Sequence, residues 1–234
     1  MRQIIQLDAA AVSDRGLKRS TNEDSVLCDP LLGLFAVADG MGGHASGEVA
    51  SRLAIDTVHR EWRERRQLHL IPGVDHRDPG HLLGDVVAAA NQLVLHRSRS
   101  CDLFAGMGTT LLVAVLHEMT LHYAHVGDSR LYRLRSGRLE RLTRDHSFAE
   151  DLLARGYSTA EALRRAESKA LTRALGPSLE VAIDLASFEV HEGDVLLLCS
   201  DGLTGLLDDD EIATQLEAGR LVGRSLDSQA ETLI

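Results

Sequence analysis

Residues 109–126, Thr-Thr-Leu-Leu-Val-Ala-Val-Leu-His-Glu-Met-Thr-Leu-His-Tyr-Ala-His-Val, decide the fold. Two apolar, strand-forming runs, 109–116 and 120–126, flank the short break His117-Glu118-Met119. That pattern predicts an antiparallel hairpin. Downstream, 131–134 and 139–142 flank Ser136-Gly137 and predict a second hairpin. Residues 181–190 and 195–199 return to strands, with His191-Glu192-Gly193-Asp194 as the turn between them. Upstream, the apolar run 34–38 reads as a buried strand that delivers a turn at Asp39-Gly40.

Elsewhere the period changes. Ala50, Leu53, Ala54, Val58 and Trp62 recur at three and four residues, which predicts an amphipathic helix from Ser46. A loop over 69–80 follows, then a second helix whose apolar face is Leu83, Val86, Val87, Ala90 and Val94. Residues 146–170 turn polar and helical and interrupt a β-rich stretch, so they read as an inserted flap. Asp208 and Glu211 form a capping box for a last helix, with Leu207 and Ile212 placed as a hydrophobic staple. Successive hairpins favour antiparallel pairing. The predicted class is α+β: a four-layer α-β-β-α sandwich of two antiparallel sheets flanked by helices, with a helical flap.

A length of 234 residues predicts one domain over 1–234. Thirty-five Asp and Glu against 25 Lys and Arg give a net charge of −10, which argues against a general nucleic-acid binder. The longest apolar runs, 111–116 and 195–199, are far too short to span a membrane, and residues 1–11 do not read as a signal peptide. Cys28, Cys101 and Cys199 are widely spaced and form no CxxC pair, which predicts three reduced, mostly buried thiols in a cytoplasmic protein.

Four acidic segments carry the chemistry: Asn22-Glu23-Asp24, Asp39-Gly40-Met41-Gly42-Gly43, Gly127-Asp128-Ser129 and Ser200-Asp201-Gly202. A lone Asp-Gly is a common turn. Two of these, however, directly follow apolar strands, and carboxylates gathered at buried strand ends are costly unless a cation compensates them. Carboxylate, carbonyl and water oxygens suit magnesium and manganese.

These segments sit within seven collinear blocks: Gly16-Leu-Lys-Arg19-Ser-Thr-Asn-Glu23-Asp24-Ser25, Val37-Ala-Asp39-Gly-Met-Gly-Gly-His44, Gly106-Met-Gly-Thr-Thr110, Val126-Gly-Asp128-Ser-Arg130, Leu142-Thr-Arg-Asp-His-Ser147, Leu171-Thr-Arg-Ala-Leu-Gly176 and Cys199-Ser-Asp201-Gly-Leu203. In order and spacing they resemble the metal-dependent protein Ser/Thr phosphatases (PPM, type 2C) in their compact bacterial form. The resemblance implies a two-metal centre (Mn²⁺ or Mg²⁺, with a possible third ion) at one end of a β-sandwich. Asp39 would bridge both metals, joined by the Gly40 carbonyl. Glu23 would belong to the second metal, Asp201 to the first and Asp128 to a third. Arg19 would grip the substrate phosphate, making Arg19 and Asp39 the catalytic pair. Asp24, His44 and Gly202 would support the site, and Arg130 would fix the Asp128 turn.

The implied partners are phosphorylated proteins, among them a Ser/Thr kinase and its substrates. No nucleic acid or membrane is implied, and the chain is expected to be a monomer. Family members usually end with a Gly-Gly-x-Asp-Asn segment and a last strand, whose Asp binds the first metal. Here the sequence reads Ala230-Glu-Thr-Leu-Ile234 without one, and Asp227 is followed by Ser228. The expectation is a weakened first-metal site and an exposed sheet edge. The family's His-Pro in the flap is replaced by Arg165-Ala166-Glu167. The alternative left open is a pseudophosphatase or phosphoprotein-binding module with an impaired metal centre.

Overall fold

The computed structural model describes residues 7–42, 46–68, 78–164 and 170–234. The strands are β1 (Asp24–Asp29), β2 (Leu34–Met41), β3 (Gly108–Thr109), β4 (Leu111–His117), β5 (Thr120–Val126), β6 (Arg130–Arg135), β7 (Arg138–Arg141), β8 (Asp184–Glu189) and β9 (Val195–Cys199). One sheet has the order β1-β2-β4-β5-β8, with β3 paired to β2, and the second has the order β7-β6-β9. Every pairing is antiparallel. Both predicted hairpins form, as β4–β5 and β6–β7.

Helices α1 (Ser46–Leu68) and α2 (Pro79–Ser98) cover the outer face of the first sheet. Their predicted apolar faces, from Ala50 to Trp62 and from Leu83 to Val94, pack with Leu34, Ala36, Val113, Val115 and Ala124. On the other face of the same strands, Leu112, Ala114 and Tyr123 meet Leu131, Phe188, Leu196 and Leu198 between the sheets. Burial on both faces explains why β4 is an unbroken apolar run rather than an alternating one. The flap holds α3 (Phe148–Ala154) and α4 (Thr159–Leu163). Its substituted stretch Arg165-Ala166-Glu167 lies outside the described residues. After β9 come α5 (Asp201–Thr204) and α6 (Asp209–Leu221). The side chains of Ile212 and Leu216 close the fourth layer against Leu134, Val195 and Leu197.

The α6 start is as predicted: Glu211 N–H donates to Asp208 Oδ1 at 2.9 Å, and Asp208 N–H donates to Glu211 Oε2 at 2.9 Å. Leu207 joins the same apolar cluster as Ile212. Several boundaries differ. β2 does not end before Asp39 but continues to Met41, because Gly40 and Met41 pair with Thr109 and Gly108. The predicted loop ends before Pro79, since Asp78 caps α2 and proline takes its first turn. β8 begins at Asp184 rather than at 181, and the 191–194 turn carries the chain from one sheet to the other. A further helix, α7 (Leu226–Leu233), follows an N-cap at Ser225. The thiols are free, as expected, but only Cys199 is buried; Cys28 is partly buried and Cys101 exposed. Among the described residues no helix is long and apolar enough to cross a membrane.

Candidate active site

Strand ends bring the acidic segments together. Asp24, the first residue of β1, lies directly opposite Asp39 in β2. Gly40 N–H donates to Glu23 O at 3.1 Å, and Ser51 Oγ of α1 donates to the same carbonyl at 2.6 Å. The helix approaches so closely that a Cβ on Gly40 would stand 2.0 Å from Gly47 O. Only glycine allows α1 to seat there, which places Glu23 and Asp39 side by side. Asp128 occupies the bend between β5 and β6, and Asp201 opens α5 straight after β9. Ser200 Oγ donates to Asp24 Oδ2 at 2.6 Å, so Asp24 ties β1 to the Asp201 segment.

The result is one cleft of ≈ 620 Å³, with Arg19, Glu23, Asp39, Gly40, Asp128 and Asp201 all on its wall. Arg19 Nη1 lies 3.6 Å from Glu23 Oε2, and its side chain is 77% exposed, open to a ligand entering from solvent. Asp24 stands behind this wall. Gly202 follows Asp201 within α5 and has room for a side chain, so nothing steric requires glycine there. His44 lies outside the described residues. Arg130 acts on the Asp128 turn by charge, a lowering influence on the Asp128 carboxyl, rather than by a direct hydrogen bond. Its Nε and Nη2 grip Asp145 at 3.1 and 2.8 Å, and its Nη1 donates to Tyr132 Oη at 3.1 Å.

Crowding of like charges dominates the electrostatics. Burial, then the neighbouring Asp24 and Asp201 carboxylates, push Asp39 up to about 9. Burial, followed by Asp201 and Asp145, pushes Asp128 up to about 6. Burial also raises Asp24, against the lowering effect of the Ser200 hydroxyl. The Asp24 and Asp201 carboxylates crowd Asp39, so its carboxyl keeps a proton far above the usual carboxylate range. Among the described residues no group of three or more His, Cys, Asp or Glu side chains is already set to hold one ion. The donor chemistry nevertheless fits a hard dication. The oxygens are carboxylate and carbonyl, and the repulsion that traps a proton on Asp39 is what a dication would relieve.

The far wall comes from residues 171–174, 177–178 and 180–182. Of the residues that shape it, Asn91 escaped the sequence reading, and Arg173 and His146 were given no role there. Asn91, buried on α2, donates to Ser178 O and Leu179 O at 3.0 Å each and accepts from Gly176 N–H at 2.8 Å. A polar residue on an otherwise apolar helix face was the available signal. Arg173 Nη1 donates to Asp184 Oδ1 at 2.7 Å, and His146 Nε2 lies 3.1 Å from Asp184 Oδ2. His146 Nδ1 accepts from Gly127 N–H at 3.0 Å, which places its proton on Nε2. His122 and His125 are both buried.

The chain matches the family described as Protein phosphatase 2C over residues 18–230. It is 35% identical over 225 residues to the serine/threonine phosphatase stp of Listeria welshimeri, covering 92% of this chain and 85% of that protein. It is 37% identical over 223 residues to the serine/threonine protein phosphatase PstP of Mycobacterium tuberculosis, covering 92% of this chain and 40% of that protein. The solved catalytic domain of PstP in complex with two manganese ions matches with a TM-score of 0.78 and 36% identity, over 96% of this chain and 88% of that one. The expected four-layer fold is therefore shared with solved phosphatases of this type. By its own motifs, its fold and these relatives, the chain belongs to the protein phosphatase 2C family, a family of Ser/Thr phosphatases and hence of hydrolases.

Proposed function

We propose that this chain hydrolyses phosphoserine and phosphothreonine in proteins at a binuclear Mn²⁺ or Mg²⁺ centre in the acidic cleft. The observation that carries the reading is the convergence of Asp39, Asp128, Asp201 and Glu23, with Arg19 at the rim, in a single cleft. Asp39 would bridge the ions, with the Gly40 carbonyl beside it. Glu23 and Asp201 would complete the two sites, and Asp128 would serve a third. When bound, such ions acidify water and offset charge on phosphoryl oxygens. Arg19 supplies the protein's own cation. Its planar fork matches a phosphate and orients the ester while solvent still reaches the rim. Asp24 and Ser200 hold the Asp39 and Asp201 segments in fixed relation. The reading is of a single catalytic domain acting as a cytoplasmic monomer, with a Ser/Thr kinase and its substrates as partners.

Arg19→Ala is expected to lower kcat/KM on a phosphothreonine peptide about 10- to 100-fold, the scale of a lost charge-assisted hydrogen bond. Its Mn²⁺ affinity should stay close to that of the wild type. Steady-state kinetics with calorimetry separate the two effects. An unchanged kcat/KM would remove Arg19 from the phosphate site.

A phosphoprotein-binding module with a weak metal centre is the second reading. It is favoured by the absence, among the described residues, of three acidic side chains already set around one ion. Manganese-dependent turnover of a phosphothreonine peptide by this chain dismisses it.

A further inference from the structure

We infer that Thr110 is a positioning residue that sets the spacing between Asp39 and Asp128 through a buried hydroxyl pair with Ser129. The inference rests on the reading of the cleft as a metal-dependent phosphatase centre. Thr110 lies in the break between β3 and β4 and is 2% exposed.

Its side chain makes contacts in three directions. Oγ1 accepts from Asp39 N–H at 2.8 Å, while Thr110 N–H donates to Asp39 O at 2.9 Å. Oγ1 also lies 2.9 Å from Ser129 Oγ, and Ser129 is fully buried. Finally, the hydrocarbon half of the side chain packs on Gly127: a Cβ there would stand 2.6 Å from both Cβ and Cγ2 of Thr110. Gly127 itself has a φ of +114°, so it takes a side chain badly on backbone grounds as well. One threonine therefore touches the main chain of Asp39 and both sequence neighbours of Asp128.

Thr109 adds a second hydroxyl to the same place, its Oγ1 donating to Asp39 O at 2.9 Å. A buried hydroxyl costs free energy unless it is bonded. These three are bonded to the two segments that present carboxylates to the cleft. Thr110 Oγ1 bonds a main-chain amide and another hydroxyl, and among the described residues no base is bonded to it, so its role is geometric rather than nucleophilic. Groups that hold a metal's ligands from behind commonly change affinity or activity about 10- to 100-fold when removed.

The test is calorimetric titration of Mn²⁺ into the wild type, Thr110→Val, Thr110→Ser and Ser129→Ala, with a thermal melt of each in chelator. Valine keeps the methyl packing on Gly127 but leaves Asp39 N–H without its acceptor, whereas serine keeps the hydroxyl. Thr110→Val is expected to weaken Mn²⁺ binding about 10-fold or more, with Thr110→Ser within about threefold of the wild type and Ser129→Ala between them. Wild-type affinity in a folded Thr110→Val overturns the inference, as does a loss in Thr110→Ser equal to that in Thr110→Val. If Thr110→Val does not fold, Ser129→Ala decides: weakened binding supports the pairing and unchanged binding overturns it. A wild type that binds no Mn²⁺ overturns the phosphatase reading itself. The same titration therefore tells the two failures apart.

Discussion

Asp39→Asn is expected to lower phosphatase turnover by on the order of a thousandfold or more, while raising the melting temperature of the metal-free protein near pH 8. The two effects have one cause. Asp39 sits against Asp24 and Asp201 in a buried cleft, and its carboxyl is pushed up to about 9. With ions bound, that crowding is the source of their affinity, and an amide cannot replace a bridging carboxylate. Without ions, the crowding only opposes folding, and a neutral amide relieves it. Turnover of a phosphothreonine peptide with Mn²⁺, together with thermal melts in chelator, reads both effects. Activity within tenfold of the wild type, or a lower melting temperature in chelator, would contradict the assignment.

The metal-free wild type should lose stability as the pH rises from 7 to 9, and Mn²⁺ should restore more at pH 9 than at pH 7. The sign follows from proton counting. Asp39 keeps its proton in the folded state until about pH 9, whereas an unfolded Asp has lost it by about pH 4. The native state therefore holds the extra proton, and stability falls with pH by as much as about 1.4 kcal/mol per pH unit for one such group. Asp128, pushed to about 6, adds the same trend at lower pH. Burial depresses His125 to about 4 and also lowers His122 and His146, which takes stability away as the pH falls through the ordinary histidine range. The window from 7 to 9 thus separates Asp39 from the histidines, while the buried Cys199 thiol, pushed up to about 12, adds to the same fall toward pH 9. Mn²⁺ at about a hundred times its dissociation constant adds about 2.7 kcal/mol per site. That corresponds to a rise of about 5–10 °C for a domain of this size. A melting temperature that holds steady or climbs between pH 7 and 9 in chelator would show that Asp39 carries no trapped proton.

The local parts of this architecture were readable from the residues. The hairpin over 109–126 and the two helix faces show in periodicity because each is fixed by neighbours a few positions away. The extension of β2 through Asp39 was not readable. It depends on pairing Gly40 and Met41 with Thr109 and Gly108, far away in the chain. The hydrogen-bond partner of Arg130 was not readable for a related reason: its grip on Asp145 spans 15 residues and a whole hairpin. The acidic segments looked like ordinary turns one at a time, and only their collinear arrangement with the other blocks singled them out. Thr110 and Asn91 act on main-chain atoms 71 and 85 or more residues away; a polar residue on an apolar helix face flags Asn91, but no local pattern names the partners of either.

The most direct measurement is anomalous X-ray scattering at the manganese edge from crystals of this chain grown with Mn²⁺. The account predicts manganese peaks in the cleft within bonding distance of the Asp39 carboxylate, with Asp201 oxygen on one of the same ions. Crystals that show no manganese there, or show it only elsewhere on the surface, would contradict the assignment of this cleft as a metal centre.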